Sequence, residues 1–179
     1  MNRAIAFLAG IAIATTSPAC LGPVTDSQTF SNGVASVRVD RHEETHSLEP
    51  GAYLKFYGKS ARTADWAPLF TFRHDDPIRL PRDCVRFVSA QITYAFVGWY
   101  YTVTSDGGRT WSTWSAERDL PNWDCCNYGL IQNVELSTDG SGLMVLHPIR
   151  GGRGEVPTLA TTDFGKHWQL PSNNVGRLP

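Results

Sequence analysis

Apolar and polar positions alternate with a period of two in several short stretches of this chain. Across residues 33–40, Ala35, Val37 and Val39 face one way while Val34, Ser36 and Arg38 face the other, the pattern of a half-buried strand. Residues 53–57 and 69–72 place Leu54 and Phe56, then Leu69, Phe70 and Phe72, in two more strand candidates. Residues 84–88 and 92–97 follow the same logic. Residues 96–103 are so rich in aromatic and β-branched side chains that they read as one strand. A similar order returns in residues 130–136, 143–146 and 157–161, with a turn over 137–142 where Asp139, Gly140 and Gly142 cluster. The pattern predicts a single all-β domain over residues 33–170. A polar linker punctuated by Gly and Pro is expected at 20–32, and a frayed tail at 171–179.

Two eight-residue boxes punctuate the later strands, one at 104–111 and one at 161–168. Both fit one template: a hydroxyl residue, any residue, Asp, any residue, Gly, two free positions, then Trp. Thr104, Asp106, Gly108 and Trp111 fill it first, and Thr161, Asp163, Gly165 and Trp168 fill it again. Asp at such a place bonds backbone amides a few residues on, and Gly supplies the positive φ of a tight turn. Each Trp is expected to fold back over its own hairpin and bury on the order of 200 Å². These roles are structural, and no residue is nominated as catalytic. The two boxes lie 57 positions apart, from Asp106 to Asp163, an interval suited to one repeated unit. Residues 53–72 make a third unit without a box.

The template resembles the Asp-box, or BNR repeat, of sialidase-type and related β-propellers. The resemblance covers eight residues twice and a looser strand pattern before each. It implies antiparallel sheets joined by Asp-box hairpins, with the box residues on the outer rim and away from any active site. Closed propellers of that family have six or more blades, whereas this chain has room for three or four at roughly 40 residues each. The expectation is a small or incomplete propeller-like domain, with a β-sandwich as the alternative. An incomplete propeller leaves exposed edges for loops or a partner to cover.

The first 19 residues look like a signal peptide: Arg3 is the single charge, residues 4–14 are apolar, and Ser17, Pro18 and Ala19 suit cleavage. The apolar run falls short of the roughly 20 residues that span a bilayer. Cleavage after Ala19 exposes Cys20, a lipidation candidate that would attach the chain to a membrane. The expected locations are the periplasm, the outer membrane as a lipoprotein, or the medium. Loss of Arg3 takes 16 basic residues to 15 against 17 acidic, a net charge of −2. That balance argues against a nucleic-acid partner.

Export implies an oxidising compartment, so Cys84 is expected to pair with Cys125 or Cys126. The two adjacent cysteines are poor partners for each other. No C-x2-C spacing is present, so no metal ligands and no cofactor are nominated. Residues 42–46 spell His42, Glu43, Glu44, Thr45, His46, literally the zinc motif that sets two His on one helical face with Glu as base. The flanking Asp40, Arg41, Ser47 and Pro50 give no apolar stripe for such a helix. The stretch reads as a solvated turn or strand end, and a metalloprotease is the remote alternative.

Asp75 and Asp76 are adjacent carboxylates, but extended neighbours point to opposite sides, and glycoside hydrolysis needs a fixed separation. Arg73, Arg79, Arg86 and Tyr100 are residue types a sialidase uses, though no spacing singles them out. Trp99, Tyr100 and Tyr101 read as core. Residues 121–129 join loop composition to Trp123, Cys125, Cys126 and Tyr128, so Trp123 and Tyr128 mark a candidate binding loop.

A short exported chain with this box also resembles the periplasmic immunity lipoproteins that neutralise type VI secretion lipase effectors. That resemblance implies a non-enzymatic protein that binds a protein partner, a toxin or effector, through exposed aromatics and Arg. A glycan binder or sialidase-like hydrolase is the alternative. A flat aromatic and Arg patch favours the first, and a pocket with two carboxylates or three arginines the second.

Overall fold

A computed structural model describes residues 22–43, 51–74, 79–80, 82–120, 130–147 and 157–170. These residues are all-β, arranged as three antiparallel sheets, none closed on itself. The first sheet runs β1 (Val24–Ser31), β2 (Ala35–Glu43), β3 (Ala52–Ser60) and β4 (Ala67–His74) in chain order. The second is β5 (Val85–Phe87), β6 (Thr93–Val97), β7 (Tyr100–Thr104) and β8 (Ser112–Ser115), again in chain order. The third is β9 (Leu130–Leu136), β10 (Gly142–His147) and β11 (Thr158–Thr161), and Gln169 adds one bridge to Ala160. One helical turn, α1 (Ala116–Asp119), follows β8. This is a set of successive antiparallel meanders, an arrangement consistent with an incomplete propeller or a sandwich. Among the described residues, no helix is long and apolar enough to cross a membrane.

The sheets stack, and alternation along the strands shows how. In β2 and β3, Ala35, Val37, Val39, Ala52, Leu54 and Phe56 are buried while the residues between them are mostly half-exposed. That inner face meets Phe72 of β4 and, from the second sheet, Cys84, Val85 and Ala95. The other face of the second sheet carries Tyr94, Tyr101, Val103 and Trp114 against Ile131, Val134, Met144, Leu146 and Leu159 of the third. The middle sheet is therefore buried on both sides, and alternation is lost in β6 and β7. Each fully buried Leu, Val or Phe contributes about 1.5–3 kcal/mol, so the two interlayer cores carry the fold.

Polar bonds fix the stacking. Asn32 Nδ2 donates to Ser89 O at 3.2 Å between the first and second sheets. Tyr94 OH donates to Val134 O at 2.7 Å, and Ile131 N to Gly98 O at 2.7 Å, between the second and third.

Two expectations need correction. Residues 24–31 are not a linker: they pair along β2 from Val24↔His42 to Ser31↔Ser36. Their side chains are polar and mostly exposed, so hydrophobic patterning does not reveal the strand. Asn32 and Gly33 make the turn, with Gly33 at φ 83° and Asn32 Oδ1 accepting from Val34 N and Ala35 N. Residues 96–103 are not one strand but the hairpin of β6 and β7. It turns at Gly98 (φ 57°) and Trp99, where the Phe72 ring lies against the glycine. The unit without a box, residues 53–72, belongs to the first sheet, and the strands expected near 130–136, 143–146 and 157–161 form the third.

Candidate functional site

The two boxes have the same internal geometry. Thr104 Oγ1 donates to Asp106 Oδ1 at 2.8 Å and accepts from Gly108 N at 2.9 Å. Thr161 Oγ1 donates to Asp163 Oδ1 at 2.8 Å and accepts from Gly165 N at 3.0 Å. Asp106 Oδ1 also accepts from Arg109 N and Thr110 N, each at 2.9 Å, and Asp163 Oδ1 from His167 N at 3.0 Å. The second carboxylate oxygen takes the Thr110 hydroxyl in one box and pairs with the His167 ring in the other.

Partial burial pushes the Asp106 carboxyl up, but bonds from the Thr110 amide and hydroxyl, Thr104 and the Arg109 amide outweigh it. The carboxyl is held below its usual value. Asp163 shows the same balance: burial raises it, and the bonds from His167 and Thr161 bring it down. Both carboxylates are held below their usual value by donors from their own turn, the reverse of the raised carboxyl that general-acid chemistry requires.

The two Trp residues differ: Trp168 covers its own turn as expected, with a ring carbon 2.8 Å from where a Cβ of Gly165 would stand, whereas Trp111 does not. Trp111 crosses to the first sheet, where its ring lies on Gly58 of β3. The second box also reaches backward: Gly165 abuts the Tyr101 ring, and Trp168 meets Tyr101 edge-on with centroids 5.4 Å apart. Each box joins its sheet to the preceding one, because the missing Cβ of a glycine lets the chains approach. Gly108 sits so close that a Cβ there would lie 2.5 Å from Lys59 O. The boxes are structural joints.

The outer face of the first sheet is different in kind. The register pairs Ser36 with Lys59, Arg38 with Tyr57 and Asp40 with Lys55, so these side chains share the face turned away from the second sheet. The Arg38 guanidinium carbon lies 4.6 Å from the Tyr57 ring centre and 5.0 Å from that of Trp66. Lys59 Nζ lies 4.8 Å from the same Trp66 ring. Arg38 Nε is 3.2 Å from Asp40 Oδ1 in an ion pair, and Asp40, only 7% exposed, accepts a hydrogen bond from Ser27 Oγ at 2.7 Å. The result is a ladder of cations and rings on β2, β3 and the loop after β3.

The other nominated residues separate. His42 and Glu43 end β2 in extended backbone, so they point to opposite sides instead of sharing a helical face. His42 is buried, and its Nδ1 donates to Gly22 O at 2.8 Å, while Glu43 is exposed and takes Arg41 Nη1 at 2.9 Å. Among the described residues, no three His, Cys, Asp or Glu are placed to hold a metal ion. Arg86 on β5 engages Asp83 at 3.3 Å. Tyr100 stacks on Phe70 at 5.1 Å, and Phe70 on Phe56 at 4.4 Å, which makes Tyr100 part of the interlayer packing. Cys84 is buried in the first interlayer core. Cys20, Cys125, Cys126, Trp123, Tyr128, Asp75, Asp76, Glu44, Thr45 and His46 lie outside the described residues.

Sequence reasoning missed the ladder. Alternation in β2 put Arg38 on a polar face, but only strand pairing brings Tyr57, Lys59 and Trp66 to it. Comparison with protein-family models, with curated proteins and with solved structures gave no match to this chain.

Proposed function

We propose that this chain is an exported, non-enzymatic protein that binds another protein, in the manner of a periplasmic immunity protein that neutralises a secreted effector. The observation that carries this reading is the cluster of Arg38, Tyr57 and Lys59 on the outer face of the first sheet with Trp66 of the following loop. Arg, Trp and Tyr are the residues that anchor protein interfaces, because each offers a large rigid contact together with a polar handle. The boxes add a negative argument. Their carboxylates are fully engaged as turn acceptors, which leaves Asp106 and Asp163 no role as acid or base. Trp66 carries two cations against its ring, an arrangement that competes with stacking on a sugar.

The test is a pull-down of the mature domain from native envelope and culture fluid, read by mass spectrometry. Retention of one stoichiometric protein, especially a toxic lipase-like effector, is the expected result. Retention of polysaccharide with no protein would overturn the reading in favour of the glycan alternative.

A further inference from the structure

The guanidinium of Arg38 is immobilised without being used up. It lies between Tyr57 and Trp66, at 4.6 and 5.0 Å from the ring centres, so its plane is set by the rings. Among the described residues its ion-pair partner is Asp40, whose Oδ1 lies 3.2 Å from Nε without making a hydrogen bond to it. The two terminal nitrogens make no hydrogen bond to a described residue, and the side chain is 31% exposed. A planar fork, already ordered and half-desolvated, has lost much of the entropy that usually opposes a bidentate bond.

The surroundings select the sign of the ligand. Lys55 and Lys59 flank Arg38 on the same face of β3, and the nearby carboxylate of Asp40 is buried and occupied by Ser27 and Arg38. A chain with 16 basic and 17 acidic residues thus concentrates three cations on one face. The spacing suits an extended acidic segment. Strand neighbours two apart lie roughly 7 Å from each other, the interval at which alternate carboxylates of an extended peptide would meet successive cations.

We propose that this face takes an acidic segment of the partner protein, with one carboxylate seated on the terminal nitrogens of Arg38 and others beside Lys55 and Lys59. This rests on the protein-binding reading above and adds to it the chemistry of the partner.

The test uses the mature protein and a synthetic peptide of alternating Glu and Ser, with Trp fluorescence and calorimetry as readouts. The peptide is expected to bind, more weakly as salt rises, and Arg38→Lys is expected to weaken it about tenfold, since Lys keeps the charge but loses the fork. The double variant Lys55→Glu/Lys59→Glu, at two half-buried positions on the outer face, should abolish binding while the circular dichroism spectrum stays unchanged. Equal affinity in wild type and Arg38→Lys, or no binding at all, would overturn the proposal. So would binding to phosphatidylglycerol vesicles or inorganic phosphate in preference to the peptide, or burial of the face in a dimer seen by sedimentation. The two readings fail separately. A protein captured from the envelope equally by wild type and Lys55→Glu/Lys59→Glu removes this proposal and leaves the binding function standing. Failure of the wild type to capture any protein removes both.

Discussion

Trp111 of the second sheet rests on Gly58 of the first, and a Cβ at residue 58 would fall 2.5 Å from its ring. Gly58 pairs with Val37 across β2 and β3, so the gap it leaves opens onto the inner face of the sheet. A rigid indole cannot yield as a flexible chain end would. Gly58→Ala should therefore cost about 1–3 kcal/mol, the usual range for overpacking. Trp111→Ala should cost about 3 kcal/mol by leaving the gap unfilled. Combined in one chain the two losses should fall well short of additive, since both act on the same contact. Urea denaturation of the three variants measures this, and strict additivity would show that the contact is unimportant.

Glycines with the same backbone geometry should differ in tolerance. Gly33 has φ 83° and Gly108 φ 85°, but a Cβ at Gly33 meets nothing within 4 Å, whereas one at Gly108 lies 2.5 Å from the Lys59 carbonyl oxygen. Gly33→Ala should cost about 1–2 kcal/mol, the left-handed penalty alone. Gly108→Ala should cost more than twice as much, because a backbone atom of another sheet must move. Comparable losses in thermal melts would mean the inter-sheet approach is looser than the geometry indicates.

Acid should weaken the boxes. The ordinary value of the Asp106 carboxyl is 3.8, and the fold holds it lower through bonds that outweigh partial burial. A carboxyl depressed in this way contributes stability above the unfolded value and loses it as pH falls through the folded one. Asp106→Asn should thus lower Tm by several degrees at pH 7, and the gap from wild type should narrow below about pH 4. Asp163→Asn should behave alike, for the same balance of causes. Melts at pH 7 and pH 3 decide the point, and a gap that does not depend on pH would assign the loss to shape, not charge.

The third sheet should loosen before the first when its anchor is cut. Tyr94 is 4% exposed and its hydroxyl donates to Val134 O at 2.7 Å across the layers. Tyr94→Phe should cost about 1 kcal/mol, the net worth of one buried hydrogen bond. Amide exchange should accelerate in β9–β11 and remain slow in β2 and β3, which pack on the other core. Uniform acceleration across all three sheets would show that the layers unfold as one unit.

The internal structure of each box was legible in the sequence because its bonds close within five residues. Thr104 to Gly108 and Thr161 to Gly165 need only a local turn and glycine at positive φ. Phe164 shows how far the template can bend, since it holds φ 66° where the first box has Gly107. The strands of the third sheet were legible for a similar reason, as a meander pairs neighbours along the chain, whereas β6 and β7 ran together because only Gly98 and Trp99 separate them. β1 was not, because a polar edge strand has no apolar face to betray it, although Asn32 and Gly33 were a hairpin signal in plain view.

Sequence alone thus determined the local turns and the all-β character, which depend on residues a few positions apart. Tertiary structure decided which sheet each Trp would land on and which face would gather cations. Trp111 and Gly58 are separated by 53 positions, from 58 to 111, and Arg38 and Trp66 by 28, from 38 to 66. Their meeting depends on the register of β2 on β3 and on how one sheet stacks on the next. No periodicity within a single strand encodes that, because a contact between layers is selected by packing of the whole core and not by its own two residues.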